Sequence, residues 1–380
     1  MLSLTDSKDP INRMKPRDRV LKALNGEEVD RPPIFMTLTP EAAQKMSKHM
    51  NVPYEEPLDS MLSTRISHME LLTKMGNDCV GVAATAPTNF PTKIIDKELK
   101  VSTNEWGMKF IDVGIYFEFF EYPLAHAKSI EDIENYNWPD PMAAGRFDAA
   151  AAAIKKYGDK YAIVADLETS FFETSWYLMG MEKMLMDLAM GEEYVFALFD
   201  RIMKINTAIG CKLIEMGVDI IWAGDDFGTQ RGMMISPDMW REVFKPRIKW
   251  MFEEFRKVNP AIKIAWHSCG SIIPIIDDFA EIGLDILNPI QPLAEGMDPQ
   301  FLKDNYGDKL CFFGGIDIQN LMPKGTPKEI KKEVKRRMSI LGKGGGYIVA
   351  PAHNIQDDTS VENIEAFFEA VMEYGEGNRT

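Results

Sequence analysis

At 380 residues with 58 acidic and 43 basic side chains, the chain carries a formal net charge of −15. That balance excludes a general nucleic-acid binder, whose phosphate-facing surface must be basic. Hydrophobic residues at 45% and charged residues at 27% fit a soluble globular chain with a large core, and no apolar run approaches the ~18 residues of a membrane span.

The N-terminus has no apolar stretch like that of a signal peptide, and four cysteines lie without framework spacing, which together point to a reducing, cytoplasmic setting. Residues 1–30 read as a polar extension and a helix, followed by a single domain over 31–380. Strand-like apolar or β-branched runs then recur at 33–38, 79–82, 161–165, 219–223, 263–266, 286–288, 310–313 and 347–350. Between them lie amphipathic stretches of helical length, such as 238–258 and 327–341. Alternating strands and helices of this kind predict parallel βα units, and eight of them predict a (β/α)8 TIM barrel of α/β class. Residues 91–123 interrupt the pattern with polar–apolar alternation and turn residues, the mark of a β-hairpin insertion after the second strand. Its aromatic tail, 115–122, would roof the barrel mouth or meet a second subunit.

Barrel enzymes gather their chemistry at the C-terminal ends of the strands. The third run leads to Glu168, and the fourth passes Trp222 into Asp225, Asp226, Gln230 and Arg231. The fifth delivers His267 and Cys269, the sixth Asn288, and the eighth runs from Tyr347 to His353. Residues two apart on a strand face the same way, so His267 and Cys269 point together. They are either zinc ligands or a satisfied histidine beside an inert buried cysteine. Adjacent Asp225 and Asp226 point to opposite sides, so one of them is expected to face the cavity, as acid–base group, metal-supporting carboxylate or helix cap. Glu168 is a third candidate catalytic carboxylate. Trp222, Gln230, Arg231, Asn288 and Tyr347 are candidate substrate contacts, with Arg231 equally suited to a structural ion pair. The glycine run at 342–346 enters a strand and lacks the geometry of a phosphate cradle.

Landmarks in order along the chain carry a family resemblance: Arg17-Asp-Arg-Val-Leu-Lys-Ala-Leu-Asn-Gly-Glu-Glu-Val-Asp-Arg-Pro-Pro33, Gly180, Asp219 to Gly232, Trp266-His-Ser-Cys-Gly270, Gly346 to Gln356, and Val361-Glu-Asn363. The chain resembles the uroporphyrinogen decarboxylase superfamily over nearly its whole length, which implies a (β/α)8 barrel. Decarboxylases of that group carry an arginine-rich motif after the first strand; residues 35–44 here contain no arginine, which speaks against a porphyrinogen substrate. A second branch comprises zinc methyltransferases that work with corrinoid proteins, with a His-x-Cys pair at the fifth strand and a cysteine at the end of the eighth. His267 and Cys269 match the pair, whereas the third position falls on His353. The resemblance thus implies zinc held by His267, Cys269 and His353, with Glu168, Asp225, Asp226 or Cys311 as substitutes for the third ligand. The Ala352-His-Asn-Ile-Gln356 form is similar to the subgroup that demethylates methyl ethers, methoxylated aromatics above all, in anaerobes. The implied reaction moves a methyl group from a methoxylated aromatic to the Co(I) of a corrinoid (cobalamin) carried by a partner protein. The alternative is transfer from a methylcorrinoid to a thiol of the coenzyme M type. A non-catalytic barrel is a third reading, and a homodimer fits any of them.

Overall fold

The computed structural model describes residues 14–58, 65–90, 92–96, 98–112, 117–167 and 169–377. Its central element is a seven-stranded sheet of strands β1 (Cys79–Val82), β6 (Ala162–Asp166), β7 (Ile220–Gly224), β8 (Lys263–His267), β9 (Ile286–Ile290), β10 (Cys311–Ile316) and β11 (Tyr347–Pro351). Neighbours pair in parallel and follow chain order. Parallel strands are covered on both faces, and these runs are correspondingly apolar and buried along almost their whole length. Helices such as Glu193–Glu215, Lys245–Val258 and Pro327–Leu341 return the chain from one strand to the next. No helix among the described residues is long and apolar enough to cross a membrane.

The expected first strand is not a regular member of this sheet. Residues 33–38 make two isolated parallel bridges, Ile34 with Val349 and Leu38 with Ile355. On the other side the Asp78 N–H donates to the Ile34 carbonyl at 2.9 Å, and the Asn77 side-chain amide brackets Met36 by accepting from its N–H (3.0 Å) and donating to its carbonyl (2.8 Å). Pro32 and Pro33 lack the N–H groups that a regular ladder needs. The segment therefore joins β11 to β1 through bridges and a side chain, giving a barrel-like ring with seven regular strands.

Two apolar layers result. One lies between strands and helices; the other fills the ring, where Phe35, Trp222 and Phe313 pack at centroid separations of 5.1–5.9 Å. At the N-terminal end of the strands an ion network forms the floor: Arg19 reaches Asp78 (2.6 Å) and Asp30 (2.6 Å), and Arg31 reaches Asp78 (2.7 Å).

Between β1 and β6 the chain forms an antiparallel sheet of β2 (Lys93–Asp96), β3 (Val101–Thr103), β4 (Lys109–Asp112) and β5 (Phe117–Glu121). The insertion is thus a four-stranded meander and not a hairpin. The Asn104 side chain builds its central turn by accepting the N–H groups of Trp106 and Met108. Phe119 stacks on Tyr177 at 4.3 Å, which leans the meander on helix Phe172–Met179, the element that follows β6.

Candidate metal centre

His267 closes β8, Cys269 follows two residues later, and His353 lies just beyond β11. One ligand-type atom from each falls within 4.8 Å of the others. Cys269 Sγ is 3.3 Å from His267 Nε2, and the two imidazoles meet edge-on at 5.9 Å between centroids. The shared facing of His267 and Cys269 follows from strand alternation, and Gly270 then turns the chain away. Gly270 has φ +78°, and a Cβ there would come within 2.6 Å of the Gly228 backbone, so only glycine fits.

Asn288 fixes the tautomer of His267. Its Nδ2 donates to the Phe313 carbonyl at 3.3 Å, leaving Oδ1 to face His267 Nδ1 at 2.7 Å. Nδ1 therefore carries the proton, and the lone pair of Nε2 points into the cluster. Burial, with the Arg65 charge, pushes His267 down to about 3, so the ring is neutral at physiological pH. Burial pushes the Cys269 thiol well up, and nearby Asp226 and Glu173 add to this. A divalent cation among these atoms would reverse that balance by favouring thiolate. Sulfur and two imidazole nitrogens at this spacing fit a zinc ion with a coordination position left for substrate.

The paired aspartates divide their work. Asp225 is fully buried and accepts the N–H groups of Phe171 (3.1 Å) and Glu173 (3.0 Å), holding the start of helix Phe172–Met179. Burial lifts its pKa to about 7 against those donors. Asp226 turns the other way: its Oδ1 accepts the Cys269 N–H at 2.7 Å and lies 3.7 Å from His267 Nε2. Behind it, Glu173 Oε1 accepts the Asp226 N–H at 2.7 Å, and Tyr177 donates to Glu173 Oε2 at 3.0 Å. Burial and mutual repulsion raise Glu173 well above the usual carboxylate range, and burial raises Asp226.

A small cavity adjoins the cluster, lined by Phe35, Arg65, Trp222, Asn288 and Phe313 together with both histidines. Arg65 lies over the Trp222 ring at 4.2 Å and pairs with Asp166 at 2.8 Å. On the rim, Gln230, Gln291 and Asp317 line a second cavity of about 210 Å³ that shares His353. Of the expected substrate contacts, Trp222 and Asn288 line the first cavity and Gln230 the second. Arg231 is exposed and lines neither cavity. Tyr347 is a correction: it opens β11, is buried in the wall, and donates its hydroxyl to the Gly314 carbonyl at 2.8 Å. It begins its strand, whereas the mouth is at the strand ends. Cys311 likewise sits at the start of β10, with its thiol 3.5 Å from the Leu24 carbonyl, and is no substitute ligand. Glu168 lies outside the described residues. Sequence reading missed Arg65, which lies between the first and second strand-like runs, and Glu173, which lies in the first turn of the helix after β6. A carboxylate in the first turn of a helix that starts at the mouth was the available sign for the latter.

Residues 113–374 match the family model described as uroporphyrinogen decarboxylase (URO-D), well over half of the chain, and the chain belongs to that family. Among curated relatives, it is 24% identical to a methylated-thiol–coenzyme M methyltransferase of Methanosarcina mazei over 245 residues, 63% of this chain and 62% of the relative. It is 26% identical to the methylcobamide:CoM methyltransferase MtaA of Methanosarcina barkeri over 181 residues, 47% of this chain and 49% of the relative. The chain therefore spans about half to three-fifths of the length of these relatives. A solved methyltransferase structure from Methanosarcina mazei superposes with a TM-score of 0.67 at 19% identity, covering 95% of this chain and 99% of the other, which establishes the shared fold.

Proposed function

We propose that this chain transfers a methyl group from a methoxylated aromatic to the Co(I) of a separate corrinoid protein, leaving the free phenol. The observation that carries the reading is the meeting of His267, Cys269 and His353 at one mouth with the Asp226 carboxyl beside them. A zinc ion held by these three would supply Lewis acidity toward the oxygen of the departing group. The protein's own residues do the rest. Asn288 keeps His267 in the ligating tautomer. Asp226, its pKa raised by burial and its backbone held by Glu173, gives a proton to the ether oxygen as the methyl–oxygen bond breaks. The electron pair of that bond stays on oxygen, and the methyl group passes to cobalt. Cobalt is the nucleophile, so the chain needs none of its own.

The relatives named for coenzyme M support a second reading, in which a methylcorrinoid passes its methyl group to a zinc-held thiol. Two features favour the ether. One thiolate and two neutral imidazoles leave a bound zinc with net positive charge, suited to an oxygen that becomes anionic. Among the described residues lining the cavity at the cluster, Arg65 is the one arginine and is already paired with Asp166, so a sulfonate meets no uncompensated cation. A porphyrinogen with many carboxylates fares worse for the same reason.

The test uses zinc-loaded protein, a reduced corrinoid protein and 2-methoxyphenol. Formation of methyl-cobalt absorbance with stoichiometric catechol is expected. Absence of both, with methylation of a thiol from methylcobalamin, would establish the second reading.

A further inference from the structure

Resting on the metal-centre reading and, for its kinetic arm, on the methyl-ether reading, we propose that Glu173 and Tyr177 are positioning residues of this site. They form a hydrogen-bonded strut, braced by the meander, that fixes Asp226 and through it the place of Cys269. The end of β7 is tied to β8 at two points. The Asp225 N–H donates to the His267 carbonyl at 3.0 Å, and the Phe227 N–H to Ser268 Oγ at 3.0 Å. The N–H between them, that of Asp226, donates instead to Glu173 Oε1 at 2.7 Å, on the helix after β6. Asp225 in turn accepts the Glu173 N–H at 3.0 Å. Strand end and helix start therefore hold one another by reciprocal bonds, in the manner of a capping box. The backbone at Asp226 is gripped from both β8 and the helix, and its carboxyl is left to accept the Cys269 N–H at 2.7 Å.

A carboxylate is a costly choice at position 173, because Asp225 and Asp226 both repel its charge. Packing alone would be met by leucine or methionine. What the carboxylate supplies is two acceptors at one reach: Oε1 for the Asp226 N–H, and Oε2 for the Tyr177 hydroxyl at 3.0 Å. Tyr177 lies one turn further along the same helix face. Its ring stacks on Phe119 of β5 at 4.3 Å with the planes 23° apart, and Phe119 leans on Phe110 of β4 at 6.0 Å. Contacts thus run from the meander through a ring, a hydroxyl and a carboxylate to a backbone N–H of the site. Phenylalanine at 177 would keep the stacking but leave Oε2 without this donor, freeing the carboxylate to swing away from Asp226.

The test compares metal-loaded Glu173→Leu, Glu173→Gln and Tyr177→Phe with the parent. Glutamine keeps an acceptor for the Asp226 N–H, whereas leucine fills the space without one. In cobalt(II)-substituted protein, read without substrate, the thiolate-to-cobalt absorption band is expected to shift in Glu173→Leu and to keep the parental wavelength in Glu173→Gln. With zinc, a reduced corrinoid protein and 2-methoxyphenol, Glu173→Leu should lower kcat by about ten- to a hundredfold with KM within about twofold, the loss expected when a reacting group is displaced by about 1 Å. Glu173→Gln should stay within about threefold of the parent, and Tyr177→Phe should fall between the two. Phe119→Ala should lower kcat in the parent but add nothing in Glu173→Leu, since it acts through the strut. Residues serving the fold alone would lower the unfolding midpoint yet leave band and kcat of the metal-loaded protein unchanged. That result, or glutamine as damaging as leucine, overturns the strut. If Glu173→Leu folds too poorly to load metal, Tyr177→Phe decides, and a parental band and kcat there are equally fatal. The two ideas fail separately. Band shifts as expected with no methyl-cobalt from any ether overturn the proposed reaction alone; ether turnover by Glu173→Leu at the parental rate overturns the strut alone.

Discussion

Asn288 sits in the strand next to His267 and makes one hydrogen bond to its ring, so its contribution is separable from that of the ligands. Asn288→Ala should weaken zinc binding by about ten- to a hundredfold, the usual effect of losing the partner that orients a ligating imidazole. Competition against a chromophoric chelator measures this, and unchanged affinity would reduce Asn288 to a packing residue of β9. The two aspartates give a second contrast. Asp225→Ala leaves the buried N–H groups of Phe171 and Glu173 without an acceptor and should lower unfolding free energy by about 1–3 kcal/mol in denaturant titration. Asp226→Asn should barely move that midpoint and instead slow transfer, most for ethers whose phenolate leaves worst. Equal slowing across ethers would make Asp226 a positioning group. Strand alternation foretold that only one of the pair would face the mouth. Which one was not legible, because the choice is made by N–H groups more than fifty residues away.

At the level of elements, β7 and β8 lie close together where the site begins. Gly224 pairs with His267, and a Cβ on Gly224 would lie 2.5 Å from both the Cβ and the carbonyl oxygen of His267. Gly224→Ala should therefore displace the end of β8 and lower zinc affinity, although alanine normally suits a strand better than glycine. Retention of parental affinity would mean that the strand ends shift without cost to the cluster. The βα alternation was legible because buried parallel strands are nearly continuous apolar runs. The meander was only half legible. Alternation marked the insertion but not its last strand, read as an aromatic tail, and the strand count rests on turns such as those at Lys100 (φ +54°) and Gly107 (φ +72°), whose pairing partners are not encoded in periodicity. The irregular first strand was foreshadowed by Pro32 and Pro33, though not the way in which the gap is bridged.

For the molecule as a whole, the stretch from Arg17 to Pro33 that signals the family proves to be the barrel floor. Arg17 pairs with Asp219, and Arg19, Asp30, Arg31 and Asp78 form one network remote from the mouth. No local pattern marks it, since its members come from separate parts of the chain. Burial works against the Asp30 charge, but the hydrogen bond and charge of Arg19, with Arg31, hold its pKa below the usual value. Its ionised form thus stabilises the fold fully above about pH 4, and that stabilisation is lost as pH falls through the lower folded value. Asp30→Asn should reduce stability at neutral pH and flatten the loss as pH falls below about 4, as read from thermal melts on either side of that pH. A variant as acid-sensitive as the parent would place the titrating groups elsewhere.

Closure of the ring has one more consequence. A ladder of peptide groups survives nearly any substitution, because every residue except proline carries the same donor and acceptor. The seam between Met36 and Asn77 instead hangs on a side-chain amide that mimics a peptide group at both its ends. Aspartate could supply only the acceptor and leucine neither. A change at Asn77 would therefore leave the contacts of Asp78 with Ile34 to hold this seam and would loosen the wall that carries Phe35 and Thr37 to the mouth.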